Sequence, residues 1–132
     1  MIVYNIDAYP RVTVQLFESK WEQSEYDTFI AGIKEIFEFA RKNGDRIKLI
    51  VEGNAELRGG KGAPFRIWMS LAKDLVLMKP LIKEALDRTA IIKPYEDFDS
   101  CFDILFKLYK PARPLKFFKT PEFVEEWLEK NL

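Results

Sequence analysis

The chain reads as an α/β protein: an N-terminal β-hairpin, then alternating helices and strands around a central mixed sheet of four to five strands with about four helices. Three observations carry that reading. Val12, Val14 and Leu16 alternate with Thr13, Gln15 and Phe17, the period of a strand with one face in a core. Phe29, Ile30, Ile33, Ile36, Phe37 and Ala40 recur at three- and four-residue spacing, the stripe of an amphipathic helix. Between Arg46 and Pro94 a strand, a glycine-rich loop, a long apolar helix and a second strand follow one another, the unit that builds two parallel strands of one sheet.

Taken in order, Ile2–Ile6 and Val12–Phe17 form the opening hairpin, with Pro10 in its connection favouring a turn. The first helix begins near Ser24, whose hydroxyl suits an N-cap, with Glu25 and Asp27 in the first turn; Asn43-Gly44 ends it. Ile47–Val51 is a strand whose unbroken Leu-Ile-Val run predicts burial on both faces. Pro64 suits the first turn of the following helix. The apolar side of that helix comprises Ile67, Trp68, Leu71, Ala72, Leu75, Val76, Met78, Leu81, Ile82, Ala85 and Leu86. Pro80 predicts a kink or break between Leu77 and Leu81. Thr89–Lys93 is the next strand. A third helix over roughly Asp97–Tyr109 turns Phe98, Cys101, Phe102, Leu105 and Leu108 inward. Leu115–Lys119 is the last strand, and Thr120-Pro121 opens a final helix with Phe123, Val124, Trp127 and Leu128 on its apolar face.

Composition narrows the function classes. The 132 residues suit one domain, 1–132, able to bury a single core. Lys plus Arg equals Asp plus Glu at 21 each, so the basic excess expected of a nucleic-acid binder is missing and no nucleic-acid partner is expected. There is no histidine, which removes the commonest general base and metal ligand together. The one cysteine, Cys101, sits on the apolar side of its helix and reads as a small core residue. No catalytic constellation, cofactor motif or metal set emerges, so the expectation is a non-enzyme without a cofactor. No leader pattern and no apolar run of transmembrane length is present, so the expected location is cytoplasmic. Eleven phenylalanines leave two readings open, a thick aromatic core or aromatic surface held for a partner.

The candidate ligand site is the loop Arg58, Gly59, Gly60, Lys61 and Gly62, with Phe65, Arg66 and Trp68 at the start of the helix behind it. Successive glycine N–H groups and a helix N-terminus make a nest for an anion, and the three basic side chains add charge. The loop is neither a Walker loop nor a dinucleotide fingerprint, and a solvated surface loop explains the same residues. Phe65, Trp68, Met69 and Met78 beside the Pro80 break read either as an apolar pocket or as core at helical spacing. Glu52 and Glu56 lie past a strand end, where ligands of α/β folds gather, and read otherwise as solvated acids. Lys107, Lys110, Arg113, Lys116 and Lys119 form a basic segment near the C-terminus. It suits an acidic protein surface or lipid headgroups, or a solvated edge strand.

Val-Thr-Val-Gln-Leu at 12–16, Ile-Lys-Leu-Ile-Val-Glu-Gly-Asn at 47–54, Arg-Thr-Ala-Ile-Ile at 88–92 and the ending from Pro111 to Leu128 together resemble the STAS domain, the fold of anti-sigma-factor antagonists, and its CRAL-TRIO-related STAS-like kin. The resemblance implies a protein-interaction module, an adaptor or subunit with a protein partner, with a homodimer left open. Its alternative is a carrier or sensor for a lipid or other small apolar or anionic ligand near 58–68. In signalling members a serine after the third strand accepts a phosphate. No Ser or Thr lies between Gly53 and Trp68 here, so that switch does not carry over.

Overall fold

The structure, a computed structural model, describes residues 2–16, 22–53, 65–92 and 109–131. Within them the chain is α/β, a five-stranded mixed sheet whose first two strands are an N-terminal hairpin, with four α-helices. The strands are β1 (Ile2–Asn5), β2 (Arg11–Leu16), β3 (Ile47–Gly53), β4 (Leu86–Ile92) and β5 (Leu115–Phe118), and their order across the sheet is their order in the chain. The helices are α1 (Gln23–Asn43), α2 (Phe65–Leu77), α3 (Lys79–Ala85) and α4 (Val124–Glu129), the last preceded by a 3₁₀ turn over Pro121–Phe123. β1 runs antiparallel to β2; the pairs from β2 through β5 are parallel.

Strand alternation sorts the side chains onto two faces. Val12, Val14 and Leu49 face α1, α2 and α3, and their cluster holds Tyr26, Ile30, Ile33, Phe37, Ile67, Met78, Leu81 and Ile82. On the opposite face Ala90, Ile92 and Phe118, with half-buried Ile50, pack against Val124, Trp127 and Leu128 of α4. Successive right-handed crossovers made in one direction across a sheet put their helices on one side, which is where α1 and α2–α3 lie.

The predicted hairpin is present, shortened at Ile6 and opening one residue earlier in β2, where Arg11 pairs with Lys48. The N-terminus of α1 departs from expectation. Helix begins at Gln23 after Glu22, no side chain caps it, and Ser24 lies inside, its carbonyl accepting from Thr28 Oγ1 at 3.0 Å. Its end is as predicted: Gly44 takes φ 72° and its N–H reaches the carbonyls of Ala40 and Arg41. The predicted stripe is the buried one, extended by Tyr26. The Pro80 break is real, with α2 stopping at Leu77, Met78 between the helices and Pro80 in the first turn of α3.

Other boundaries shift. Leu86, read as helical, opens β4 three residues before the predicted Thr89, because α3 is short and the chain enters the sheet directly. β3 is buried on the α1 side, while Lys48 and Ile50 on the other face are only half covered by the six-residue α4. Tyr109 is buried but not helical. The remainder of the predicted third helix, with Cys101, lies outside the described residues, as do Phe17, Pro64 and Lys93.

Candidate docking surfaces

Of the predicted ligand site, Arg58, Gly59, Gly60, Lys61 and Gly62 lie outside the described residues, as do Glu56, Lys107 and the side chain of Phe65. The two remaining residues do not converge. Arg66 is exposed and Trp68 half-buried; two positions along a helix turn their side chains to opposite sides. Of the predicted apolar pocket, the three residues with described side chains, Trp68, Met69 and Met78, also separate. Met78 is buried in the core against the sheet, whereas Met69 is 39% exposed on the outer side of α2.

That outer side is the surface the apolar count missed. Val76, expected in the core, is 52% exposed, and Leu77 beside it is 67% exposed at the corner where α2 breaks. Arg66 and Lys73 share the same outward side of α2, and α3 continues with exposed Lys79 and Lys83. α2 and α3 together hold four basic residues and two acids, a net charge of +2. Glu84 is exposed near the end of α3, 3.9 Å from Arg41, and Asp74 is only half exposed and accepts the Tyr26 hydroxyl at 2.5 Å, which ties α2 to α1. Burial first, and then this carboxylate, push the Tyr26 hydroxyl far above its ordinary range. A second stripe of Arg66, Met69, Lys73 and Val76 was legible as a mixed basic and apolar face at the same spacing as the core stripe.

The helix on the other face of the sheet is acidic and lies over basic strand residues. Pro121–Glu129 holds Glu122, Glu125, Glu126 and Glu129 and no basic residue, a net charge of −4. Phe123, predicted on the apolar face of the final helix, is 61% exposed because the first turn is 3₁₀ and delivers Val124, not Phe123, to the core. Beneath α4 runs a row of cations paired across three strands, Arg11, Lys48 and Arg88. Arg11 donates to Glu125 at 2.5 Å, which holds the Glu125 carboxyl below its ordinary range. Arg88 is buried and donates to the carbonyls of Trp127 at 2.8 Å and Lys130 at 2.6 Å, at the negative end of the helix dipole. Its Nε reaches Asp87, and the guanidinium lies 5.6 Å from the Trp127 ring centroid.

The predicted basic segment is in part structural. Arg113 turns inward to the carbonyls of Leu86 at 3.2 Å and Asp87 at 3.3 Å, and Lys116 lies over the Phe118 ring. Glu52 is half-buried at the end of β3. On the hairpin side, Tyr9 donates to Asp45 at 2.8 Å and meets Phe39 edge-on at 5.5 Å, with Phe39 itself 56% exposed. Among the described residues no group of three or more His, Cys, Asp or Glu is placed to hold a metal ion, and no helix is long and apolar enough to cross a membrane. No family model matches the chain, and neither a curated protein nor a solved structure matches it.

Proposed function

We propose that this chain is a non-enzymatic interaction module of STAS-like fold, an adaptor or subunit that binds a protein partner through exposed aromatic side chains. The observation that carries this reading is the display of Phe39 and Phe123, each more than half exposed, on two separate elements. Large aromatic side chains left in water are costly, and they are the residues that anchor protein interfaces. The hairpin followed by alternating helices and strands agrees with the resemblance in element order. Several polar groups are engaged in holding elements together: Tyr26 with Asp74, Tyr9 with Asp45, and Arg88 with the end of α4. A phosphorylation switch is not part of the proposal, since the expected serine position has no hydroxyl. A cytoplasmic location belongs to the same reading.

Chemical cross-linking of the full chain in extract, followed by mass spectrometry, tests it. A stoichiometric protein partner is expected, with cross-links falling near Phe39 or Phe123. Phe39→Ser or Phe123→Ser should weaken capture roughly tenfold or more while leaving thermal unfolding unchanged, because both side chains are exposed. A strictly monomeric protein with no binder would overturn the reading, as would a partner indifferent to both substitutions.

A further inference from the structure

We infer that the outer face of α2–α3 seats on an anionic phospholipid bilayer, lying on the membrane rather than crossing it. Arg66, Met69, Lys73, Val76, Leu77 and Lys79 are all exposed, and no exposed acid stands among them. Of the two acids of α2–α3, Asp74 is turned to Tyr26, and Glu84 lies near the far end of α3 beside Arg41 at 3.9 Å. Exposure rises toward the break, reaching 67% at Leu77, so the most apolar point is the corner where one helix ends and the next begins. Lys73 and Lys79 flank this corner. That is the arrangement an interfacial helix uses: apolar side chains enter the boundary of the acyl region, and lysine stems lie along them with their ammonium groups at the phosphates.

The rest of the molecule supports the orientation. Net charge is zero, so no attraction to an anionic surface comes from the chain as a whole. It comes from segregation. The basic residues of α2–α3 gather at one outer surface, while the four glutamates of 121–129 lie on the other side of the sheet, so the α2–α3 surface is the one a negative membrane attracts. An acidic protein is the rival occupant. It would need a pocket shaped to receive Leu77 and Val76, whereas a bilayer moulds itself to a projecting corner. A basic helix kept only for solubility has no reason to expose those two neighbours side by side.

The test is vesicle co-sedimentation of the full chain with phosphatidylcholine vesicles, with and without phosphatidylserine. Binding is expected only to the phosphatidylserine vesicles and is expected to fall as salt is raised. The double substitution Lys73→Gln and Lys79→Gln should lower the partition coefficient by roughly 10- to 30-fold, at about a factor of five per lysine. Leu77→Ser should lower it as well, while Glu122→Gln with Glu126→Gln on the far side should not. All these positions are exposed, and unchanged circular dichroism confirms that the variants fold. Equal binding to neutral and anionic vesicles, binding to neither, or indifference to the lysine pair would overturn the inference. So would charge-dependent binding to soluble polyglutamate in preference to vesicles, or self-association that buries the same lysines. The result is separate from protein-partner capture through Phe39 and Phe123, which needs no lipid.

Discussion

Tyr4 and Gly32 are fitted to each other across the hairpin and α1. The Tyr4 hydroxyl donates to the Phe29 carbonyl at 2.9 Å, and a Cβ placed on Gly32 would come within 2.6 Å of that hydroxyl oxygen and 2.7 Å of the ring carbon bearing it. A glycine within a helix costs up to about 1 kcal/mol relative to alanine. Here the close approach of the ring outweighs that preference, so Gly32→Ala is expected to destabilise the protein by about 1–3 kcal/mol. Urea unfolding reads this directly. In a Tyr4→Leu background the same substitution should cost much less, and a stabilising Gly32→Ala in the unaltered chain would refute the fit. A glycine in the middle of a strong helical stripe was visible in the sequence; the ring that requires it, 28 positions away, was not.

α4 is held by its surroundings rather than by its own propensity. Six residues are too few for a helix to persist alone, and no side chain caps its start. Its stability comes from Val124, Trp127 and Leu128 in the core and from the cation row beneath it, where Arg88 closes the carbonyl end. Arg88→Met would remove the donor shared by the carbonyls of Trp127 and Lys130 and the carboxylate of Asp87, leaving Trp127 only the Lys130 N–H at 3.3 Å and Asp87 only Arg113 at 3.9 Å. A loss of about 2–4 kcal/mol is expected, with α4 the first element to open. Arg88→Lys should recover little, because a single ammonium cannot meet two carbonyls and a carboxylate as the guanidinium does. Thermal unfolding checks both variants, and near-normal stability of Arg88→Met would show that packing alone holds the helix. The pattern Thr-Pro then Val-x-x-Trp-Leu announced this helix. That its first turn would be 3₁₀, putting Phe123 in water, depended on how the chain leaves β5.

Across the whole molecule, three tyrosine hydroxyls join elements distant in the chain: Tyr4 to α1, Tyr9 to the turn before β3, and Tyr26 to α2. Burial raises Tyr4 from 10.0 to about 12; burial, helped by the hydrogen bond and charge of Asp45, raises Tyr9 to about 12. The folded protein therefore holds these protons more tightly than the unfolded chain does. Their contribution is complete below about pH 10 and is lost as pH rises through about 12. Unfolding free energy should stay level to pH 10 and then fall as pH rises toward 12. Chemical denaturation along an alkaline series measures this. Tyr9→Phe should make the decline shallower, and a slope unchanged by it would remove Tyr9 from the account.

The sequence by itself determined the α/β class, the opening hairpin, the core stripe and glycine stop of α1, and the break at Pro80, because each follows from local periodicity or from the backbone limits of one residue. Tertiary structure alone decided which apolar side chains remain in water. Val76, Leu77 and Phe123 have the composition of core residues and are exposed because of where a helix breaks or a first turn tightens. It also decided that basic side chains gather on the outer surface of α2 and α3 and glutamates on α4, since a net charge of zero says nothing about position. Burial and field are properties of the assembled layers, and the linear order of residues fixes them only through the fold.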